Sequence, residues 1–317
     1  MKLTTEISIP SPLLSITYDD CLLTMGSCFA ANMGQRLQRY GFDSDINPFG
    51  ILYNPLSIAS SLERLLAGNP YVESELFYCN GLWHSDAHHG CFSAVTAAKT
   101  LDNINGRFTS AAGRLHHADF LLITFGTSWV YRRQGAAAVV ANCHKVPEKQ
   151  FVRSRSSVDD IVSRWAPLVT KLKEVNPKLQ LLFTVSPIRH WKDGAHENQL
   201  SKATLLLAIE QLVQACDAVY FPAYELMMDE LRDYRFYAAD MLHPTDVAVD
   251  YIWERFADCC FDQSTRDTMH EVEQITRALA HRPLNPDSEE YARFRQQTLL
   301  RKERLLQRYP TICLDRF

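Results

Sequence analysis

The stretch LLTMGSCFA, residues 22–30, decides the fold because the hydrophobic pattern changes inside it. Its first half is largely apolar and too short for a helix, which indicates a strand. Phe29, Met33 and Leu37 then recur at the i, i+4, i+8 spacing of an amphipathic helix, which Gly41 ends. The pattern predicts a strand, a tight turn and a helix.

Ser27 lies in that turn, beyond the carboxyl end of the strand and near the N-terminus of the helix. Free backbone N–H groups and the helix dipole favour a developing negative charge at such a position. A nucleophilic serine needs this location. Taken alone, however, Ser27 is better explained as the N-cap of the helix, since serine is among the favoured capping residues.

The composition is that of an ordinary soluble globular protein, with 46% hydrophobic and 22% charged residues in a chain of 317. A chain of this length can form one large α/β domain or two small ones. The net charge of −4 argues against a sequence-independent nucleic-acid binder. The N-terminus lacks the apolar core of a signal peptide, and no apolar run approaches the roughly 18 residues of a membrane-spanning helix. We therefore expect a cytoplasmic protein with no membrane or nucleic-acid partner.

The nine cysteines are scattered without paired C-x-x-C spacing, which favours reduced thiols. Residues 79–91 also contain His84, His88 and His89 between Cys79 and Cys91, a set that could be interpreted as a zinc cluster. The spacing matches no standard zinc pattern. We expect a loop with site-lining histidines and no metal. No Gly-x-Gly-x-x-Gly follows a strand, so no dinucleotide cofactor is expected either.

Strand and helix patterns alternate through the middle of the chain. Residues 120–125 form a continuous apolar run typical of a strand buried on both faces of a parallel sheet, and residues 179–185 repeat it. A helical pattern covers residues 158–175, and another at 199–216 leads to a short strand at 218–221. The alternation predicts a doubly wound α/β sheet flanked by helices.

The predicted domain covers residues 1–262. Residues 71–113 lack clear periodicity, and we interpret them as an insertion between core strands. The composition changes after residue 262, where two helical patterns predict a C-terminal helical extension over residues 263–317. These helices would pack on the core or on a second subunit, so a homo-oligomer is possible.

Several short motifs together resemble the GSCFA family, a branch of the SGNH/GDSL-like hydrolases, over roughly residues 20–260. They are GSCFA (26–30), NPFGILYNP (47–55), FGTSWVY (125–131), NCHKVP (142–147), SPIRH (186–190) and DMLHP (240–244). The resemblance implies a flavodoxin-like, SGNH-type sheet and a serine nucleophile at Ser27.

Asp240 and His243 are the candidate partners of that nucleophile. A serine hydroxyl needs a base to take its proton and a third group to hold the base in the right tautomer. Asp-x-x-His ahead of a helix allows one loop to supply both groups, and the resemblance implies that it does. The simpler interpretation makes His243 a surface histidine beside a helix and Asp240 a turn residue.

The resemblance implies an oxyanion hole made of the N–H of Ser27, a glycine N–H and an asparagine side chain. The glycine corresponds to Gly50, but Ser128 occupies the asparagine position. The Ser128 hydroxyl, the Thr127 N–H or Asn54 would then replace the asparagine, or activity would be weak. Loss of one oxyanion donor costs roughly 100- to 1000-fold in rate.

Asn54, Arg189 and His190 are the predicted substrate-binding residues. Arg189 and His190 follow a core strand, at the carboxyl edge where open α/β sheets bind ligands. Arg189 could hold a substrate carboxylate or phosphate, or form a salt bridge with Asp193. Cys28 is expected to be a small core-facing residue, since nothing in the sequence marks its thiol as activated.

The sequence thus predicts a serine hydrolase of carboxylic esters that works through an acyl-enzyme on Ser27. The resemblance favours a small acyl group, such as acetyl, on a carbohydrate or related hydroxyl compound. An acyltransferase with the same site is the close alternative. A non-catalytic binding protein on a hydrolase scaffold is the second class, motivated by Ser128 in place of asparagine.

Overall fold

The computed structural model describes residues 4–314, in which five parallel strands form a central sheet. In spatial order these are β2 (Asp43–Ile46), β1 (Cys21–Gly26), β5 (Phe120–Phe125), β9 (Gln180–Val185) and β10 (Val219–Tyr220). Numbered by their sequence order within this sheet alone, they follow the flavodoxin-like order 2-1-3-4-5. The predicted α/β fold is therefore confirmed.

Helices cover both faces of the sheet. They are α1 (Cys28–Arg39), α2 (Pro55–Ala67), α3 (Ala97–Leu115), α4 (Val158–Val175), α5 (Gly194–Cys216), α6 (Ala223–Glu225), α7 (Asp246–Cys260), α8 (Gln263–Ala280) and α9 (Glu289–Arg308). Alternate residues of β5 point to opposite faces, so Leu121 and Ile123 pack with α2 to α5, whereas Phe120 and Leu122 pack with α1 and α7. This two-sided burial explains the continuous apolar run.

Helix α3 is the main element that the sequence pattern did not identify. It lies in residues 71–113 and just beyond, after the antiparallel hairpin of β3 (Leu76–Cys79) and β4 (Leu82–Ser85). Ile104 and Phe108 are buried on its inner face, but Gly106 and Gly113 interrupt the pattern, and glycine is a poor helix former.

A small antiparallel sheet projects from the carboxyl end of β5. It pairs β6 (Trp129–Arg133) with β7 (Val139–Val140) and β8 (Phe151–Arg155). The sequence analysis did not predict it, because its pairing joins segments that carry little alternation of their own. It forms a wall beside the edge of the main sheet where Ser27 lies.

The C-terminal helices pack on the same face of the sheet as α1 and α7. Met269, Val272 and Ile275 of α8 and Leu305 of α9 are buried in that core. No helix within residues 4–314 is long and apolar enough to cross a membrane.

Gly26 fixes the end of β1 against β5. Its φ of +140° favours glycine, and a Cβ at this position would lie 2.2 Å from the carbonyl oxygen of Thr124. This close backbone packing helps to hold the side chain of Ser27, which follows, at the carboxyl edge of the sheet.

Gly26→Ala should lower the free energy of unfolding by about 3 kcal/mol or more, because a methyl group overlaps the β5 backbone and the conformation is strained. Gly106→Ala is the matched control. Nothing lies within 4 Å of a Cβ at Gly106, so alanine in this helix should raise stability by about 0.5–1 kcal/mol. Urea unfolding measures the unfolding free energy of each variant. Equal effects of the two substitutions would contradict the close approach of Gly26 to the backbone of β5.

Candidate active site

A cavity of about 450 Å³ opens between the carboxyl edge of the main sheet and the small antiparallel sheet. Of the residues predicted from sequence, it brings together Ser27, Asn54, Thr127, Arg189, His190 and His243. Gly50, Ser128 and Asp240 lie outside its walls. Open α/β sheets bind ligands at this edge, so the cavity is the candidate active site.

Ser27 is both the N-cap of α1 and a cavity residue. Its Oγ accepts the Phe29 N–H at 3.3 Å, and its own N–H donates to Thr124 O at 3.3 Å. The side chain is almost fully buried. The two interpretations of Ser27 are therefore compatible, since a capping hydroxyl at a helix N-terminus can also face a ligand cavity.

Asp240 holds the ring and the backbone of His243. One carboxylate oxygen lies 2.5 Å from His243 Nδ1, and the other accepts the backbone N–H groups of Leu242 and His243, each at 2.9 Å. These hydrogen bonds lower the pKa of Asp240 to about 2. An ionised carboxylate at Nδ1 favours the tautomer with the proton on Nδ1, which leaves Nε2 free to accept one.

Ser27 and His243 line the same cavity, but no hydrogen bond joins them in the described part of the chain. His243 lies on an exposed loop, with 51% of its side chain accessible. Nucleophile–base hydrogen bonds are often long in ligand-free enzymes and tighten on substrate binding.

His190 is a second imidazole close to Ser27. Its Nε2 and the Cβ of Ser27 each lie 3.5 Å from the point that a Cβ on Gly126 would occupy. Burial, followed by the charges of Lys202 and His243, lowers the pKa of His190 to about 4, so its ring is neutral near pH 7. Within residues 4–314 no carboxylate hydrogen-bonds this ring, in contrast to His243.

Three of the predicted oxyanion donors already have a carbonyl partner, and the first is the Ser27 N–H, which donates to Thr124 O at 3.3 Å. The Gly50 N–H donates to Asn47 O at 2.7 Å, and a Cβ at Gly50 would meet His89 rather than the cavity. The Thr127 N–H donates to Tyr53 O at 3.0 Å. An N–H that already has a carbonyl partner is not free to receive an oxyanion, so none of these three N–H groups is a ready donor in this structure.

Ser128 is also misplaced for the predicted role. It is fully buried outside the cavity wall, its N–H donates to Ser201 Oγ at 2.9 Å, and its hydroxyl bonds the same oxygen at 3.1 Å. The residue fastens β6 to α5. Its place in the motif therefore reflects packing of the strand end rather than contact with a ligand.

Asn54 is the predicted donor that remains. It caps α2, with Oδ1 accepting the Ser57 N–H at 2.8 Å and Nδ2 donating to Ser57 Oγ at 2.9 Å. The backbone donor fixes the orientation of the amide. Because Nδ2 carries two hydrogens, one is left for a ligand in the cavity that Asn54 lines.

Lys202 is a residue that the sequence analysis missed. Its ammonium is buried behind the cavity and donates to the carbonyl oxygens of Gly126 and Ser186, each at 2.8 Å. Burial lowers its pKa to about 7. A signal was present in the sequence, since Lys202, Leu205 and Ile209 lie on one face of α5 at helical spacing, and a lysine on an apolar face is unusual.

The small sheet and residues 191–193 supply the opposite wall with paired charges. Arg153 donates to both carboxylate oxygens of Asp193, and its guanidinium lies 4.0 Å from the ring centroid of Trp129. Lys192 pairs with Glu148. Asp193 is thus the partner of Arg153, and the alternative interpretation of Arg189 as the partner of Asp193 is contradicted.

The histidines of residues 79–91 do not line the cavity. Both ring nitrogens of His84 are within hydrogen-bond distance of protein atoms, Ser93 Oγ at 2.7 Å and Cys79 O at 3.0 Å. His88 stacks on Phe49, and burial lowers its pKa to about 3. In residues 4–314 no group of three or more His, Cys, Asp and Glu residues is placed to hold a metal ion.

Cys28 does line the cavity, contrary to the expectation that it faces the core. Burial raises the pKa of its thiol, which keeps the sulfur protonated. The net effect of this environment is therefore not to activate the Cys28 thiol as a nucleophile.

Comparison with known families gives a specific result. Residues 21–256 match the model of the GSCFA family, and residues 272–316 match that of the GSCFA domain protein, C-terminal domain. The chain belongs to the GSCFA family. No curated protein matches it.

The solved structure of a Clostridium thermocellum family 3 carbohydrate esterase is distantly similar to this GSCFA protein. The TM-score is 0.33 at 11% sequence identity, and the match covers 83% of this chain and 99% of the other. At that score the similarity bears on neither activity nor substrate.

Lys202→Met should remove a pH dependence of stability from this GSCFA protein. The pKa of Lys202 falls from 10.5 to about 7 on folding, so between these values the unfolded chain binds more protons. Burial of the charged Lys202 therefore lowers the free energy of unfolding by its full amount below pH 7. This destabilisation disappears as the pH rises toward 10.5. The wild-type protein should therefore gain stability relative to Lys202→Met between pH 7 and pH 10.

Urea unfolding at several pH values measures this difference, and Lys171→Met is the control because Lys171 is exposed on α4. A constant difference in unfolding free energy between wild type and Lys202→Met across that range would refute the lowered pKa of the buried lysine.

Proposed function

We propose that this GSCFA protein is a serine hydrolase of carboxylic esters that acts through an acyl-enzyme on Ser27. One observation carries the proposal. The Ser27 hydroxyl lines the same cavity as His243, whose ring is oriented by the ionised carboxylate of Asp240 at 2.5 Å. A nucleophile, a base and an orienting group are the minimum set for acyl transfer.

In the proposed mechanism His243 Nε2 takes the proton from Ser27 Oγ as this oxygen attacks the ester carbonyl carbon. The tetrahedral intermediate collapses when the C–O bond to the alcohol breaks, and His243 returns the proton to the departing oxygen. Water then attacks the acyl carbon while His243 takes a proton from it. The bond from this carbon to Ser27 Oγ breaks, His243 returns the proton to Oγ, and the carboxylic acid leaves. The free hydrogen of Asn54 Nδ2 and the positive end of the α1 dipole stabilise the oxyanion.

We propose a small acyl group, such as acetyl, on a carbohydrate or related hydroxyl compound. A volume of about 450 Å³ is in the range of small-molecule sites. Trp129, Tyr131 and Trp191 line it and offer aromatic faces to a ring-shaped substrate. An acyltransferase would use the same acyl-enzyme with another hydroxyl compound in place of water.

A non-catalytic binding protein is the second candidate. It is favoured by the absence of a hydrogen bond between Ser27 and His243 in residues 4–314, and by the occupied N–H groups of Ser27, Gly50 and Thr127. Such a protein would bind its ligand without covalent reaction. Chemical labelling of Ser27 therefore distinguishes the two candidates.

A fluorophosphonate probe should label the wild-type protein, and Ser27→Ala should abolish labelling. Ser157→Ala is the matched control, because Ser157 is also a helix N-cap and accepts the Asp160 N–H at 3.0 Å. Each substitution removes one cap, at about 1 kcal/mol, but only one removes the proposed nucleophile. Intact-mass spectrometry measures the mass that the probe adds. Absence of labelling in the folded wild-type protein would favour the non-catalytic binding protein.

Asp240→Asn should lower kcat/KM for 4-nitrophenyl acetate on the order of 10⁴-fold, because an amide no longer favours the productive tautomer. Asp233→Asn is the control, since the Asp233 carboxylate also accepts a backbone N–H two residues on, from Arg235 at 2.9 Å. Steady-state kinetics at pH 7 measures both. Similar rates for the two variants would mean that Asp240 only shapes its turn.

A further inference from the structure

Arg189 carries the unpaired charge of the cavity wall. The charged side chains that line the cavity, within the part of the chain that the structure describes, are Arg153, Arg189, Lys192 and Asp193. Arg153 pairs with Asp193, and Lys192 pairs with Glu148 behind the wall. Among the described residues no carboxylate lies within salt-bridge distance of Arg189, so the wall bears one uncompensated positive charge.

The guanidinium of Arg189 is also short of hydrogen-bond partners. Nη2 donates to the sulfur of Met228 at 3.0 Å, and Nε is buried without a partner in the described chain. A thioether is a weak acceptor, whereas a guanidinium offers five N–H donors. A partly buried charge with so few hydrogen-bond acceptors is unfavourable unless a ligand supplies the missing acceptors.

The backbone on either side of Arg189 is fixed before any ligand binds. The Ser186 carbonyl accepts from Lys202 at 2.8 Å, and the His190 N–H donates to Asn198 Oδ1 at 2.9 Å. The segment between these anchors follows β9 directly. The guanidinium is thus presented to the cavity by a rigid strand end, as preorganised binding groups are.

We propose that the substrate of this site is an anionic ester, whose carboxylate or phosphate group binds Arg189 while its ester carbonyl lies at Ser27. This inference rests on the proposed function and names its substrate class. The planar fork of Arg189 suits a bidentate contact with either anion. A neutral ester leaves the guanidinium unpaired and reacts more slowly, so the charge acts as a specificity determinant.

Direct binding tests the anion site without catalysis. Calorimetric titration of the full chain with inorganic phosphate and with succinate should give a Kd that Arg189→Gln raises at least about tenfold, as expected for charge-assisted hydrogen bonds. Arg164→Gln removes the same charge from α4, where Arg164 pairs with Glu63 outside the cavity, and should leave Kd unchanged. Equal Kd values for wild type and Arg189→Gln would overturn the inference.

Kinetics locates the anionic group in the ester. The acyl arm compares 4-nitrophenyl hemisuccinate with 4-nitrophenyl butyrate, and the alcohol arm compares O-acetyl-lactate with isopropyl acetate. In at least one arm kcat/KM should favour the anionic ester, and Arg189→Gln should lower that ratio about 10- to 100-fold. Arg189→Lys keeps the charge but loses the fork, so it should retain part of the preference.

The outcomes separate this inference from the proposed function. Arg189-dependent anion binding without probe labelling of Ser27 would leave the anion site standing and remove the hydrolase. Labelling of Ser27, with no preference for the anionic ester in either arm, would retain the hydrolase and refute the role of Arg189.

Discussion

The buried ammonium of Lys202 joins the parts of the site. Its two hydrogen bonds of 2.8 Å tie the carbonyl oxygen of Gly126, just after β5, to that of Ser186, just after β9. The Gly126 N–H in turn donates to Tyr53 O at 2.7 Å, which holds the loop that carries Asn54. Removal of one side chain would therefore leave two buried carbonyls unsatisfied at the point where these segments meet.

The two cavity histidines occupy opposite environments. His190 is partly buried and neutral, with a pKa lowered to about 4 and no carboxylate on its ring in the described chain, whereas His243 is half exposed and held by Asp240. Of the two, only His243 has, among the described residues, a carboxylate partner that could share the charge of a protonated ring. His190 lines the cavity beside the close approach of Gly126 to Ser27.

Local signals in the sequence predicted the sheet, the turn at Ser27 and the pairing of Asp240 with His243, because each depends on residues a few positions apart. Thr127 and Ser128 were predicted as oxyanion donors, but each bonds a residue more than 70 positions away in sequence, Tyr53 and Ser201 respectively. Gly50 differs from them, because its N–H bonds Asn47 O within its own turn. The partners of Thr127 and Ser128 are distant in sequence and close only in the folded chain. The small sheet escaped prediction for the same reason, since long-range pairing creates it.

Mass spectrometry of the protein during turnover of 4-nitrophenyl acetate tests the central claim most directly. If Ser27 is the nucleophile, rapid acid quenching should trap an acetyl group on the peptide of residues 22–30, and fragmentation should assign it to Ser27. Ester cleavage with the acetyl group on Cys28, or with no acetylated peptide at any quench time, would contradict the serine acyl-enzyme.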